Sequence, residues 1–253
     1  MSQEFELSNV STMPVIALRG ITVFPNVMIH FEVAREISVK ALEDAMSAGQ
    51  PVFLVAQKDI SVEEPSSRDL YTVGTISNIR QILRMPGDNM RVMVEGHSRG
   101  RLIQLTESVP YLKAQVQEIP EEEAPARPTP RQEALMRATY DLFQEYSELA
   151  PKVSPDLIVH LLASQEPGYI ADYIAQNIAM RSDDKQKILE ELHPVRRLEK
   201  LYKLLQREVD ILSLDAEIQS KAREQMAEQQ RDYFLREQMK AIQNELGEGD
   251  GAD

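Results

Sequence analysis

Four histidines, His30, His97, His160 and His193, are the side chains in this 253-residue sequence best suited to hold a metal or shuttle a proton. Their spacings fit no local ligand motif, and H-E-x-x-H does not occur. A phosphate-cradling loop would end in lysine followed by serine or threonine, and no lysine is so followed. The nearest glycine pair, in GHSRG from Gly96 to Gly100, reads as a turn between two strands. The expectation is therefore a chain with no catalytic residue, no metal and no cofactor of its own. What remains is apolar recognition. Two loops carry it: VFPNVM, with Phe24, Pro25 and Met28, and a hairpin with Met85, Pro86, Met90 and Met93. Methionine adapts to irregular apolar partners, and such loops either hold unfolded polypeptide or fill the barrel ends as ordinary core. A third candidate is the stripe Leu235, Met239, Ile242 and Leu246, with Phe234 beside it, which repeats at helical steps and needs an apolar partner.

Composition sets bounds on these readings. An apolar fraction of 42% suits one large domain or two modest ones. No run of eighteen apolar residues exists, and the start MSQEFELSNV is polar and acidic, so neither a membrane span nor a signal peptide is expected. Zero cysteines exclude disulfides and thiolate sites and agree with a cytoplasmic setting. The net charge of −13 is uneven: residues 1–118 carry 11 basic and 14 acidic side chains, residues 119–253 carry 17 and 27. Such a field repels a phosphate backbone and argues against nucleic acid as a partner.

The elements that must position the loops follow from periodicity. In MIHFEV, Ile29, Phe31 and Val33 alternate with Met28, His30 and Glu32, which puts the first three inward. Further strands are expected at PVIALR, VFLVAQ, YTVGTISNIRQIL, MRVMVEG, GRLIQL and YLKAQVQEI, the last with Leu112, Ala114 and Val116 on one face. One helix interrupts them, burying Ile37, Ala41, Leu42, Ala45 and Met46 and stopping at Gly49. Antiparallel strands of this number suggest a small open barrel or two packed sheets.

PEEEAPARPTP then reads as a linker that ends in a capping box, with Thr129 as cap, Pro130 at the first helical position and Gln132 completing it. The next helix is expected to bury Leu135, Ala138, Leu142, Tyr146 and Leu149. Shorter helices start near Ser154, at Pro167 with Ile170, Ile174 and Ile178 on one face, and after Ser182. From Pro194 neither proline nor glycine appears until Gly247, permitting one helix of roughly 50 residues and about 80 Å. Val195, Leu198, Tyr202, Leu205, Val209 and Leu212 form a heptad seam in its first part, and the middle is polar almost all round.

Three stretches resemble one family. RDYFLREQMKAIQNELGE, from Arg231, is very similar to the segment by which Lon proteases enter their ATPase module. MPVIALRGITVFPNVMIHFEVAREISVKALEDAM looks like the opening of the Lon N-terminal domain, and DLYTVGTISNIRQILRMPGDNMRVMVEGHSRGRL resembles its central hairpin. Departures are small: the family often has an acidic or amide residue where Gly20 stands, and glycine where Asn26 and Ala34 stand. The resemblance implies an α+β chain, with a PUA-like β-barrel domain carrying one helix, then an α-helical bundle ending in a long helix. The expected boundaries are 10–118 for the substrate-binding domain, 119–130 for the linker, 131–193 for the bundle and 194–247 for the long helix. The helix would lead to an ATPase and a Ser-Lys peptidase, neither of them in this chain, so ATP and magnesium are implied for the full-length protein alone. Implied partners are unfolded or misfolded proteins, the chain's own ATPase and protease domains, and further copies in a hexamer. Two other readings stand beside recruitment of substrate: a spacer that oligomerises through the Val195–Leu212 seam, and a PUA-like nucleic-acid binder.

Overall fold

The computed structural model describes residues 9–87, 89–122, 128–150, 155–162 and 164–248. Six strands come first: β1 (Val10–Leu18), β2 (Met28–Val33), β3 (Val52–Ala56), β4 (Val73–Arg84), β5 (Met90–Glu107) and β6 (Lys113–Ile119), with α1 (Glu36–Ala48) between β2 and β3. Five helices follow: α2 (Pro130–Leu149), α3 (Pro155–Leu162), α4 (Pro167–Asn177), α5 (Ser182–Leu189) and α6 (Pro194–Glu248).

The strand order is β2-β5-β4-β3-β1-β6, and β5 also pairs with β6. That extra pairing closes β1, β3, β4, β5 and β6 into a ring, because β5 is long enough to serve two neighbours in succession. Its first half lies between β2 and β4, and its second half pairs with β6 from Arg99 to Glu107. Most pairs are antiparallel as expected. The exception is β1 with β3, which is parallel: β2 and α1 intervene as a crossover and return the chain in the same direction. β1 is covered on both faces from Met13 to Leu18, which explains its continuous apolar run. Met13, Val15 and Ala17 join Phe53, Leu112, Ala114 and Val116, while Ile16 and Leu18 join Phe31, Val33 and the α1 residues Ala41, Leu42 and Ala45. Met46, expected inward on α1, is exposed.

GHSRG is not a turn. It lies inside β5, and MRVMVEG and GRLIQL are one strand. Neither glycine is there for a left-handed backbone; both are there for space. A Cβ on Gly96 would stand 2.2 Å from the Phe24 carbonyl oxygen, and one on Gly100 would stand 2.8 Å from the Phe53 ring. Left-handed residues sit instead in true turns, at Gly20, Asn26, Gly49 and Gly87. Asn26 has φ 58°, and asparagine is among the few side chains that tolerate this region.

The helices bury each other around Phe143, Ile170, Ile174, Ile188, Leu198, Leu201 and Leu205. The Thr129 capping box forms, with Gln132 N–H donating to Thr129 Oγ1 and Thr129 N–H donating to Gln132 Oε1 at 2.8 Å. The buried face of α2 is Met136, Thr139, Leu142, Phe143 and Tyr146; Leu135 and Leu149 only flank it. Ser154 lies outside the described residues. Ser182 is the first residue of α5, whose cap is Arg181.

Candidate functional site

β2, β5 and β4 present a three-stranded outer face whose parity is set by register. Met28–Glu95–Asn78, His30–Met93–Gln81 and Glu32–Arg91–Leu83 are successive rungs pointing outward. The intervening rungs, Ile29–Val94–Ile79 and Phe31–Val92–Ile82, turn inward to the core. On the outer face Met28 is 56% exposed and Leu83 47%. Met85 and Pro86 lie at the hairpin tip beside it, also exposed. A cavity of about 210 Å³ is lined by His30, Gln81, Leu83, Arg91 and Met93. A larger one, about 500 Å³, opens between the hairpin and α1 and includes Met85, Arg84, Glu43 and Val39. Charges on this face are paired: Arg91 with Glu32 at 2.7 Å, and Arg80 with Glu95.

Three of the residues expected in exposed loops are inside. Phe24 is 0% exposed and Pro25 is buried, because the VFPNVM turn is clamped against the helices. Phe24 and Val27 belong to the apolar cluster of the helical bundle, and the Phe24 N–H donates to Gln176 Oε1 of α4 at 3.2 Å. Met90 is 3% exposed because it falls on the inward parity of β5, three residues from outward-facing Met93. Met93 is half-buried. Leu83, absent from the expected set, is the largest apolar addition.

The same clamp holds a buried ionic junction. Asp172 on α4 accepts from Arg99 of β5 at 2.7 Å and from Arg197 of α6 at 3.0 Å, all three side chains being almost wholly enclosed. Arg197 also donates to Glu121 at 2.8 Å and to the carbonyls of Glu191 and Leu192; Arg99 donates to the Leu189 carbonyl. Burial pushes the Asp172 carboxyl above its usual range, and the two guanidiniums offset part of that rise. The carboxylate is the form that gives both arginines an acceptor. Barrel, bundle and the start of the long helix therefore meet at one carboxylate, and the segment between β6 and α2 joins them through Arg197.

Lys185 on α5 donates to the Gln176 carbonyl at 3.3 Å. Burial pushes its ammonium down to about 8 from 10.5. Between those values the unfolded chain holds a proton that the folded chain has released, so stability rises as pH climbs from about 8 to about 10.5. Below pH 8 the full cost of the buried charge is felt. Lys185→Met is expected to raise the unfolding free energy by about 1–3 kcal/mol at pH 7, with the gain shrinking toward pH 10.5. Parallel denaturation curves of parent and variant across that range check this.

Two serine spacings in the sequence lead to no nucleophile. GHSRG has the form G-x-S-x-G, but a nucleophile elbow stands between strand and helix, whereas Ser98 is within β5 and its Oγ is buried without a hydrogen-bond partner among the described residues. Ser182 and Lys185 stand at S-x-x-K spacing, yet Ser182 Oγ donates to the Gly20 carbonyl and Lys185 to Gln176. Among the described residues, no group of three or more His, Asp or Glu is placed to hold a metal, and no helix is long and apolar enough to cross a membrane.

α6 is continuous for 55 residues. Its seam is consumed within the chain: Leu198, Leu205 and Val209 are buried in the bundle. Beyond Leu212 the helix leaves the bundle, and every described side chain from Ser213 to Glu245 is exposed, Phe234, Leu235, Met239 and Ile242 among them. Leu246 is helical, with its side chain outside the described set. Ile211, Leu214, Ile218, Met226 and Tyr233 form a further exposed stripe, roughly a third of a turn from the terminal one at ideal helical pitch.

Residues 12–207, spanning barrel and bundle together, match the family model of the ATP-dependent protease La (LON) substrate-binding domain. The chain belongs to the Lon protease family. The Lon protease of Syntrophomonas wolfei is 42% identical over 238 residues, covering 94% of this chain and 29% of that protein. The Lon protease of Clostridioides difficile is 40% identical, covering 93% of this chain and 30% of its own length. The chain thus spans under a third of the length of these curated relatives. The N-terminal domain of Mycobacterium avium complex Lon protease superposes with a TM-score of 0.62 at 20% identity, covering 78% of this chain and 98% of that one. The Xanthomonas campestris Lon N-terminal domain gives 0.54 at 15% identity, covering 76% and 96%. At such identities these two speak for the fold, the α+β arrangement of a Lon N-terminal region.

Proposed function

We propose that this chain recruits unfolded or misfolded proteins for an ATP-dependent Lon-type protease and supports its assembly in the cytoplasm. ATP, magnesium, the Ser-Lys peptidase and a hexameric ring belong to the full-length protein in this reading. Residues 10–118 serve as the substrate-binding domain, 119–130 as linker, 131–193 as bundle and 194–247 as the arm toward the ATPase module. The supporting observation is the outer sheet face, where Met28, Leu83 and Met85 remain exposed and Leu83 and Met93 line a groove, while neighbouring Phe24 and Met90 are committed to the core. Exposed apolar side chains flanked by paired charges attract apolar stretches that a folded protein hides. A spacer that pairs through the Val195–Leu212 seam is disfavoured, since that seam packs inside its own bundle.

Changing Met28, Leu83 and Met85 together to serine tests the assignment. Affinity for a reduced, carboxymethylated protein is expected to fall about tenfold or more, the worth of losing several partly buried apolar contacts. The melting temperature should stay near that of the parent, because all three side chains are at the surface. Unchanged affinity would remove this face from the account.

A further inference from the structure

We infer that the outer edge of β2 binds an extended stretch of polypeptide through backbone hydrogen bonds, adding it as a further strand. The inference deepens the recruiting role proposed above and rests on it. β2 ends the strand order, with β5 on one side only. Among the described residues, no hydrogen bond reaches its outward backbone groups from Met28 to Val33. Alternate residues of an antiparallel strand turn their N–H and C=O away from the partner, so these six residues offer a short, ready-made ladder.

A second open stretch in this sheet shows how an edge is closed to such pairing. β3 pairs with β4 only as far as Ser77, leaving the second half of β4 without a neighbour on that side. There the β4–β5 register slips twice, at Ile76/Ser77 and at Ile79/Gln81, and Arg84 reaches across to Glu43 of α1. Bulges and charges are the usual means of blunting an edge. β2 lacks both at its open edge: six consecutive pairs with β5 carry no register shift, the strand contains no proline or lysine, and its one charge, Glu32, pairs with Arg91 on the β5 side.

The flanking face fits the same occupant. Side chains of an added strand would alternate, one set lying beside Met28, His30 and Glu32 on the outer face. Met28 and the groove around Met93 and Leu83 favour apolar or small residues there, and the net charge of −13 disfavours an acidic chain. Folded proteins have their backbone groups already paired. An edge that reads main chain therefore selects unfolded polypeptide without reading a particular sequence, and neutral to weakly basic β-prone stretches are its substrate class.

The full chain is titrated with a ten-residue peptide of alternating valine and serine with a lysine at each end, and with the same peptide N-methylated at its backbone amides. Binding of the first, weakened at least tenfold in the second, is the expected result. Equal affinity for the two, or binding of carboxymethylated protein but of neither peptide, would overturn strand addition and leave the recruiting role standing. Failure to bind carboxymethylated protein as well would remove the recruiting role and this inference together. Sedimentation addresses the other occupant: a peptide-free chain that dimerises, and loses peptide binding as it does so, would place a second copy on the edge and overturn the assignment.

Discussion

Asp172→Ala is expected to lower the unfolding free energy by about 3–5 kcal/mol, the cost of breaking a buried ion pair from one side. Among the described residues, the carboxylate is the only group that faces both Arg99 and Arg197 at hydrogen-bond distance from an enclosed position. Without it two guanidiniums confront each other across a site from which water is excluded, and the remaining carbonyl acceptors of Leu189, Glu191 and Leu192 leave the charges unneutralised. Glu121 compensates weakly, since it contacts only Arg197 and is half in solvent. Asp172→Asn, which keeps the shape and one acceptor, should cost less than alanine. Replacing Asp172 by leucine together with Arg99 and Arg197 by methionine should recover much of the loss, because no buried charge is then stranded. Chemical denaturation followed by far-ultraviolet circular dichroism measures all three. A cost below 1 kcal/mol for alanine would mean that the junction is not what holds barrel to helices.

Phe24→Ala is the second large effect, expected at about 3–5 kcal/mol from loss of a fully buried aromatic side chain. Its origin lies in packing between the two halves of the chain. Phe24 enters the apolar cluster formed by Ile174, Leu198 and Leu201, and its carbonyl lies against Gly96, where no side chain is accommodated. The variant should therefore unfold at lower denaturant, yet bind carboxymethylated protein with parental affinity under conditions where it stays folded. Met28→Ser, only four residues away, should do the opposite and leave stability within about 0.5 kcal/mol. Denaturation and titration of the same two proteins separate the roles of these neighbours.

The contrast between Phe24 and Met28 shows what local pattern reveals. Alternation in MIHFEV placed Ile29, Phe31 and Val33 inward and Met28, His30 and Glu32 outward, because a strand with one covered face writes its orientation into every second residue. The capping box at Thr129 and the helix positions Ile170 and Ile174 were legible for the same reason, the interactions lying within a few residues; Ile178, expected on the same face, is buried but caps the helix in extended backbone. Phe24 has no such local signature, since its hydrogen-bond partner Gln176 follows 152 residues later. Arg99, Asp172 and Arg197 were illegible as a group. Isolated arginines and aspartates read as solvated residues, and only the docking of β5, α4 and α6 brings them together. Gly96 and Gly100 misled because glycine serves turns and close approaches alike; here a backbone carbonyl and a ring filled the space a Cβ would need. Met90 and Met93 fell on opposite faces by parity, which the loop reading of that stretch ignored.

Backbone amide exchange, recorded for the full chain alone and with carboxymethylated unfolded protein, tests the central claim that the sheet face and its free edge receive the polypeptide. Slowed exchange in β2 and along the hairpin arms of β4 and β5, with fast exchange unchanged from Ser213 onward in α6, is the predicted result. Slowing confined to the exposed part of α6, with the β2, β4 and β5 amides unaltered, would contradict it.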